Sequence, residues 1–450
     1  MKKVITNVMV VTPQVEKDLI RNGFIEVSDD KISKIGDMKD LPKYSAGTEI
    51  IDGKKKIAIP GFVCSHNHMY SAVVRSIPYS GFAQEDFSFA SWMERFWFQK
   101  LENKVNNTDV KYGTLINAIE HVKHGYTTTT DTVEGPNALP GTLFAAGEAA
   151  QLSGIRGVLS FESTGRISHE NFMLGLKENL DFFEEMKKKN GRIQGRIGIH
   201  TTYTVTEEQV KIVREAANKH GCGIMMHLSD SRYHTTDSTL KYGKRPVKWL
   251  EDLGFLGPDV LFFHASYMDI LRDPAILAKY DCKISHQPIS NAMFGFWPNM
   301  VPLIEKGITV GLGTDGMTQS MFEVMRTCQM IHRLRYEELE LLPDKQLFEM
   351  ATINGAKALQ MEDQIGSLEV GKKADIVLLE NNSPVTVFEA NIWNYLVSVA
   401  DSAHVKDVFV DGTLVVKNGV HQLVNEANIR EQCRAQATDF WKRNNWETAE

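Results

Sequence analysis

No apolar stretch in this chain runs uninterrupted for the roughly 18 residues that a membrane span needs. The opening Met1-Lys2-Lys3, followed by Val4 to Val11, is broken by Thr6, Asn7 and Thr12 and is not followed by a small-residue cleavage site. It therefore reads as a first β-strand, not a signal peptide. Cysteine is scarce: five residues, an odd number, with no Cys-x-x-Cys pair. Cys64, Cys222 and Cys282 lie in apolar runs, where a thiol behaves as a small hydrophobe, and this usage suits a reducing cytoplasm. Positive charge is not in excess either. The formal charge is −7 and no basic stripe stands out, so neither a nucleic acid nor a membrane is expected as a partner. Finally, no Gly-x-Gly-x-x-Gly follows an early strand, which disfavours a dinucleotide site on a doubly wound sheet.

What is present is the composition of an ordinary globular protein, and 450 residues suffice for one large domain plus a smaller one. Residues 1–57 read as short strands and turns (Val4–Val11, Phe24–Val27, Lys31–Ile35). The same texture returns over 366–450, where Asp411-Gly412 between the runs Val405–Val410 and Thr413–Val416 signals a hairpin. Neither segment can enclose a core alone, so the two ends are expected to build one small β-sandwich together. Residues 425–446 read as a closing helix docked by Trp441 and Trp446.

Between them, over 58–365, strand-length apolar runs alternate with helical stretches. There are eight such runs: 57–66, 127–132, 156–162, 194–202, 223–229, 260–267, 282–288 and 308–314. Eight βα units over about 300 residues predict an α/β fold of the (β/α)8 TIM-barrel type. One segment stands outside the repeat. Tyr79, Phe82, Phe87, Phe89, Trp92, Phe96, Trp97 and Phe98 crowd the connection after the first strand. They read either as a lid or stacking wall, with Trp97 touching substrate, or as a helix that packs its rings into the core or a subunit interface.

The chemistry collects at strand ends. His66 and His68, two apart in Gly61-Phe62-Val63-Cys64-Ser65-His66-Asn67-His68, point the same way along a strand. Six of the 14 histidines (His66, His68, His200, His227, His264 and His286) lie at or just past strand ends, which in a barrel form the catalytic rim. Asp315, in Gly313-Thr314-Asp315-Gly316 at the end of the eighth run, would alone read as a helix cap. Facing a ring of histidines, it reads as a metal ligand. His66, His68, His227 and Asp315 then offer three nitrogens and an oxygen to one divalent transition ion per chain, a set that favours Zn2+, with Fe2+ the alternative.

These stretches resemble the amidohydrolase superfamily, in its branch of cyclic deaminases and triazine hydrolases. The matching motifs are Pro60-Gly61 through His68, His227-Leu228-Ser229-Asp230, Phe263-His264, Ser285-His286-Gln287-Pro288-Ile289-Ser290-Asn291 and Gly313–Gly316. The phrasing around His66–His68 and Leu312–Gly316, leading to Met321-Phe322-Glu323, is most similar to SsnA-type aminohydrolases. The resemblance runs to about residue 420. It implies a barrel with a sandwich from both termini, a homo-oligomer of two or more chains, and a single metal, because the fourth strand Gly198-Ile199-His200-Thr201-Thr202 lacks the lysine that bridges two ions.

The implied reaction is hydrolytic deamination of a small nitrogen heterocycle (purine, pterin, pyrimidine or triazine) with release of ammonia. Asp230, His264 and Asp315 would be catalytic, and His200, His286, Asn291 and Trp97 would contact substrate. Loss of chloride from a triazine, ring opening of a cyclic amide, and a silent metal-binding homologue are the alternatives. One position departs from the family: Asp230 stands where a glutamate normally protonates the ring nitrogen. Its side chain is one methylene shorter, and a misplacement of about 1 Å can slow a reaction on the order of 100-fold. Glu162 and His234 are the other candidates for that task.

Overall fold

A computed structural model describes residues 2–13, 18–76 and 88–446. Eight parallel strands follow one another in chain order around a barrel: Phe62–Cys64, Tyr126–Val133, Arg156–Ser163, Ile197–Thr201, Ile224–Leu228, Val260–His264, Lys283–His286 and Val310–Leu312. Each pairs with its predecessor. The ends meet where Ser65 N–H donates to Leu312 O (2.9 Å) and Thr314 N–H to His66 O (3.0 Å). Gly313 makes that closure sterically feasible: a Cβ there would stand 2.8 Å from His66 O and 2.9 Å from the Gln287 amide.

Apart from Ile193–Gly195, the remaining strands form one mixed sheet built from both termini. The hairpin Val405–Val410 and Thr413–Lys417 turns at Asp411 and Gly412, both with left-handed φ, as a tight two-residue turn demands. The sheet curls back on itself where Ile32 N–H donates to Lys372 O and Gly371 N–H to Ile32 O. The fold encloses a separate small core that includes Ile5, Val10, Ile25, Ala58, Ile376 and Phe409.

Two expected strands are each divided. Ile57–Pro60 belongs to the terminal sheet, between Lys2–Val11 and Ile376–Leu379, whereas Phe62–Cys64 opens the barrel. The switch is at Gly61, whose N–H bonds Asp375 O while the next N–H, of Phe62, bonds Gly125 O. A Cβ on Gly61 would lie 2.1 Å from the Thr127 hydroxyl. Both halves are fully buried, so the run is apolar throughout and its periodicity cannot reveal the change of sheet. The run 194–202 divides likewise at Arg196, with Ile193–Gly195 added beside the third barrel strand.

Barrel and sheet are tied by charge as well. Arg156, on the third barrel strand, donates to both Asp375 and Asp411 of the terminal sheet, and Arg192 Nε reaches Asp411 (2.8 Å). Glu426–Arg443 forms the closing helix, docked by Trp441 Nε1 on Val73 O (2.8 Å) and by Trp446 stacked on Phe96.

Candidate active site

His66 and His68 emerge from the first barrel strand, His227 from the fifth, His264 from the sixth and Asp315 from the eighth. Donor atoms of His66, His68 and His227 all fall within 4.8 Å of one another, and so do those of His66, His264 and Asp315. His66 is fully buried under the ring of Phe263 (centroids 3.9 Å), and neither of its nitrogens has a hydrogen-bond partner among the described residues. Burial, and then the neighbouring imidazoles, hold it well below the usual histidine range, so its ring is neutral. Buried polar atoms are rarely left orphaned without reason, and a neutral, orphaned imidazole is a ready metal ligand.

The neighbours are oriented accordingly. His68 Nδ1 lies 2.9 Å from Thr132 O, which places the proton there and frees Nε2, 3.8 Å from Asp315 Oδ1. His227 Nδ1 stands 3.1 Å from Glu162 Oε1. The donor set fits one divalent transition ion.

This cluster opens into a pocket with two unlike walls. One wall is aromatic and apolar (Phe89, Trp92, Met93, Trp97, Phe294, Phe296). The other carries His68, Glu134, His200, His227, Asp230, His264 and Asp315. Both readings of the aromatic segment find support. Phe89, Trp92 and Trp97 face the pocket, while Phe96 is buried against the closing helix; Tyr79, Phe82 and Phe87 lie outside the described residues. Trp97 donates its indole N–H to Glu134 Oε2 (2.7 Å).

His264 is held from behind by Asn291 (Nδ2 to Nδ1, 3.1 Å), with its Nε2 3.8 Å from Asp315 Oδ2. Asn291 is thus brought to the site, but fully buried behind His264 and not on the pocket wall. His286 is not brought to the pocket. Along its strand Ser285 points inward, its hydroxyl 2.5 Å from that of Ser65. His286 therefore faces outward, against His332 on the helix Met321–Tyr336 (centroids 5.2 Å).

Asp230 lies beside His234, with Oδ1 and Nε2 2.5 Å apart. The Thr201 hydroxyl donates to His227 O (3.2 Å) and meets His234 Nδ1 at 2.9 Å, so it accepts from that nitrogen. Burial opposes a charge on Asp230, but His234 outweighs it and holds the carboxyl below its ordinary value.

Three glutamates were not expected together. Glu134 accepts from both Tyr70 OH (2.5 Å) and Trp97, its other oxygen lies 3.9 Å from His200 Nε2, and the carboxyls of Glu102 and Glu162 are near enough to interact with it. Burial and the Glu134 charge push Glu102 and Glu162 well above the carboxylate range. Glu134 stays ionised. Arg166 pairs with Glu102. Only Glu162 stood out in the sequence, yet Glu134 also ends a barrel strand, the position that marks the histidines.

Backbone strain gathers at the same rim. Ser229, His264, Ala265 and Asp315 all have left-handed φ, between 46° and 67°. For non-glycine residues this costs on the order of 1 kcal/mol each and aims side chains that regular strands would not.

The comparisons fit this geometry. The chain is 31% identical to a 5′-deoxyadenosine deaminase of Methanosarcina acetivorans, over 98% of this chain and 99% of that one. It is 32% identical to a 5-methylthioadenosine/S-adenosylhomocysteine deaminase of Thermoanaerobacter pseudethanolicus, over 93% and 94%. Among solved structures, a zinc-bound adenosine deaminase from Xanthomonas campestris shares the fold with a TM-score of 0.86, at 19% identity over 98% of both chains. An atrazine chlorohydrolase from Arthrobacter aurescens complexed with zinc gives 0.81, at 22% identity over 97% and 100%. The profile described as the amidohydrolase family matches residues 57–415, from the last strand before the switch at Gly61 to beyond the barrel. With that span, and with two full-length relatives above 30% identity, the chain belongs to the amidohydrolase family.

Proposed function

We propose that this protein is a metal-dependent aminohydrolase that deaminates a nitrogen heterocycle of the purine-nucleoside type. One observation carries the reading. The neutral, orphaned imidazole of His66 sits within reach of Asp315, at the floor of a pocket that also presents Asp230 and His264. Its aromatic wall suits a planar ring, and its full-length relatives act on adenosine derivatives.

In this reading His66, His68, His227 and Asp315 hold one divalent ion, zinc favoured over iron(II). When bound, such an ion would supply Lewis acidity that lowers the pKa of water to about 7. His264, whose Nδ1 accepts from the Asn291 amide, carries its ring proton on Nε2 and orients the attacking water, whose proton passes to Asp315. Asp230 delivers a proton to the ring nitrogen, so the attacked carbon becomes tetrahedral without a free anion. His234 Nε2, 2.5 Å from that carboxylate, holds the shorter acid in place. His200 and Trp97 flank the ring. The amino group takes the proton removed from water and departs as ammonia, and the hydroxyl proton returns to Asp230 as the carbon regains planarity.

The test is ammonia release by the zinc-loaded protein across adenosine, 5′-deoxyadenosine, pterins, pyrimidines and triazines. Ammonia from the purine nucleosides is the expected result. Chloride from a chlorotriazine with no ammonia from any ring, or bound zinc without turnover, would overturn it.

A further inference from the structure

Beside the pocket, beyond the edge contact of Phe296 with Tyr267 (centroids 5.7 Å), runs a second, open groove. Arg232, Arg245 and Arg335 line it, and no carboxylate does. On a chain of net charge −7 that is a local reversal of sign. Arg232 is exposed and has no hydrogen-bond or ion-pair partner among the described residues; its guanidinium stands 5.8 Å from the Tyr267 ring centre. Arg335 spends one nitrogen on the carbonyls of Trp297 and Pro298 and lies over the Trp297 ring. Arg245 donates one nitrogen to Tyr267 O, whereas its buried Nε makes no hydrogen bond and is 3.9 Å from Asp273.

A second observation points the same way. Ser266, 6% exposed, lines the groove with a buried hydroxyl that has no partner. Two buried donors, Ser266 Oγ–H and Arg245 Nε–H, thus lack acceptors beside two further guanidinium groups. Unsatisfied buried donors are unfavourable, and an anion with several oxygens would satisfy both. The faces of Tyr267 and Trp297, the latter 53% exposed, add stacking surfaces.

We infer that this groove binds a small organic anion, a phosphate or carboxylate carried on an aromatic or heteroaromatic ring. The anion comes either from the far end of the molecule whose reactive ring fills the pocket or from a separate ligand. Binding itself does not depend on the deaminase reading; the choice of source does.

Titration calorimetry on the metal-loaded protein tests it, with phenyl phosphate as probe and phenol as neutral control. Phenyl phosphate should bind one per chain and phenol at least about tenfold more weakly. Arg232→Ala should weaken phenyl phosphate about tenfold and Arg232→Glu should abolish it, with melting temperatures unchanged. Phosphate held only in the metal pocket would ignore Arg232, so equal affinity in all three proteins, or no binding to the wild type, overturns the assignment. Kinetics then identify the source. If the anion is the substrate's own, KM for adenosine 5′-monophosphate lies below that for adenosine, and Arg232→Ala raises only the former. If it is separate, phenyl phosphate changes the rate on adenosine without competing, and Arg232→Ala removes that response. Absence of turnover on either would count against the deaminase reading and leave the calorimetric result standing.

Discussion

Nε2 of His234 and Oδ1 of Asp230, one helical turn apart, stand 2.5 Å from each other where the family's longer glutamate would reach alone. In the proposed mechanism the imidazole supplies what the missing methylene removes: a fixed partner that orients the acid. Asp230→Asn should keep fold and metal while the turnover number falls about 100-fold to 10,000-fold. His234→Ala should lower it in the same direction with metal content unchanged. Asp230→Glu, too long for a site closed by His234, should also be slow. Wild-type turnover in Asp230→Asn would remove Asp230 from the mechanism.

Metal content separates ligands from bases. Elemental analysis should give about one equivalent of divalent metal per chain for the wild type, and a large loss in a variant with both His66→Ala and His68→Ala. His264→Ala should retain the metal and lose roughly 100-fold in rate. Asn291→Leu, which frees Nδ1 of His264, should fall between the two proteins. Full occupancy in the double variant is the result that rejects the ligand set.

His200 carries a pH signature. Burial holds its imidazole down to about 4. An unfolded chain takes up a proton at this position near pH 6.5, and the folded one does not until about 4. Stability therefore declines as pH falls through that window and is unaffected above it. His200→Gln should lessen the decline, read as the urea midpoint at pH 7.5 against pH 5. Identical declines in both proteins would exclude a neutral His200.

Arg156 is the test of how sheet and barrel are joined. Its side chain is 4% exposed and serves two aspartates, so Arg156→Ala leaves buried charge uncompensated. A loss of about 3–5 kcal/mol is expected by urea unfolding, with the surviving folded protein still binding metal. A loss below about 1 kcal/mol would show the pair to be incidental.

Much of the rim was legible because two simple rules decide it. Side chains alternate along a strand, and a parallel barrel presents its chemistry at one set of strand ends. Those rules place His66, His68, His227, His264 and Asp315 together. They also explain the exception at His286: with Ser285 turned inward, its neighbour must turn out. Glu134 follows the same rule but lies two residues past the expected end of its threonine-rich run. The meeting of Glu102, Glu134 and Arg166, and the groove of Arg232, Arg245 and Arg335, depend on contacts between distant loops. No local pattern announces such contacts. The change of sheet at Gly61 was hidden for the opposite reason, since total burial on both sides erases the periodicity that marks a boundary.

That change of sheet also sets an order of events. Ile57–Pro60, directly ahead of the first two histidines, finds its antiparallel neighbour only in Ile376–Leu379, more than 300 residues later. During synthesis the early rim can pair with barrel strands as they emerge, yet the segment anchoring it keeps one edge open until translation has passed residue 379. Such distant pairing slows folding and exposes an unpaired edge meanwhile. A ribosome-stalled chain ending near residue 365 should thus hold all of the rim histidines and Asp315 and still lack the strand that steadies them.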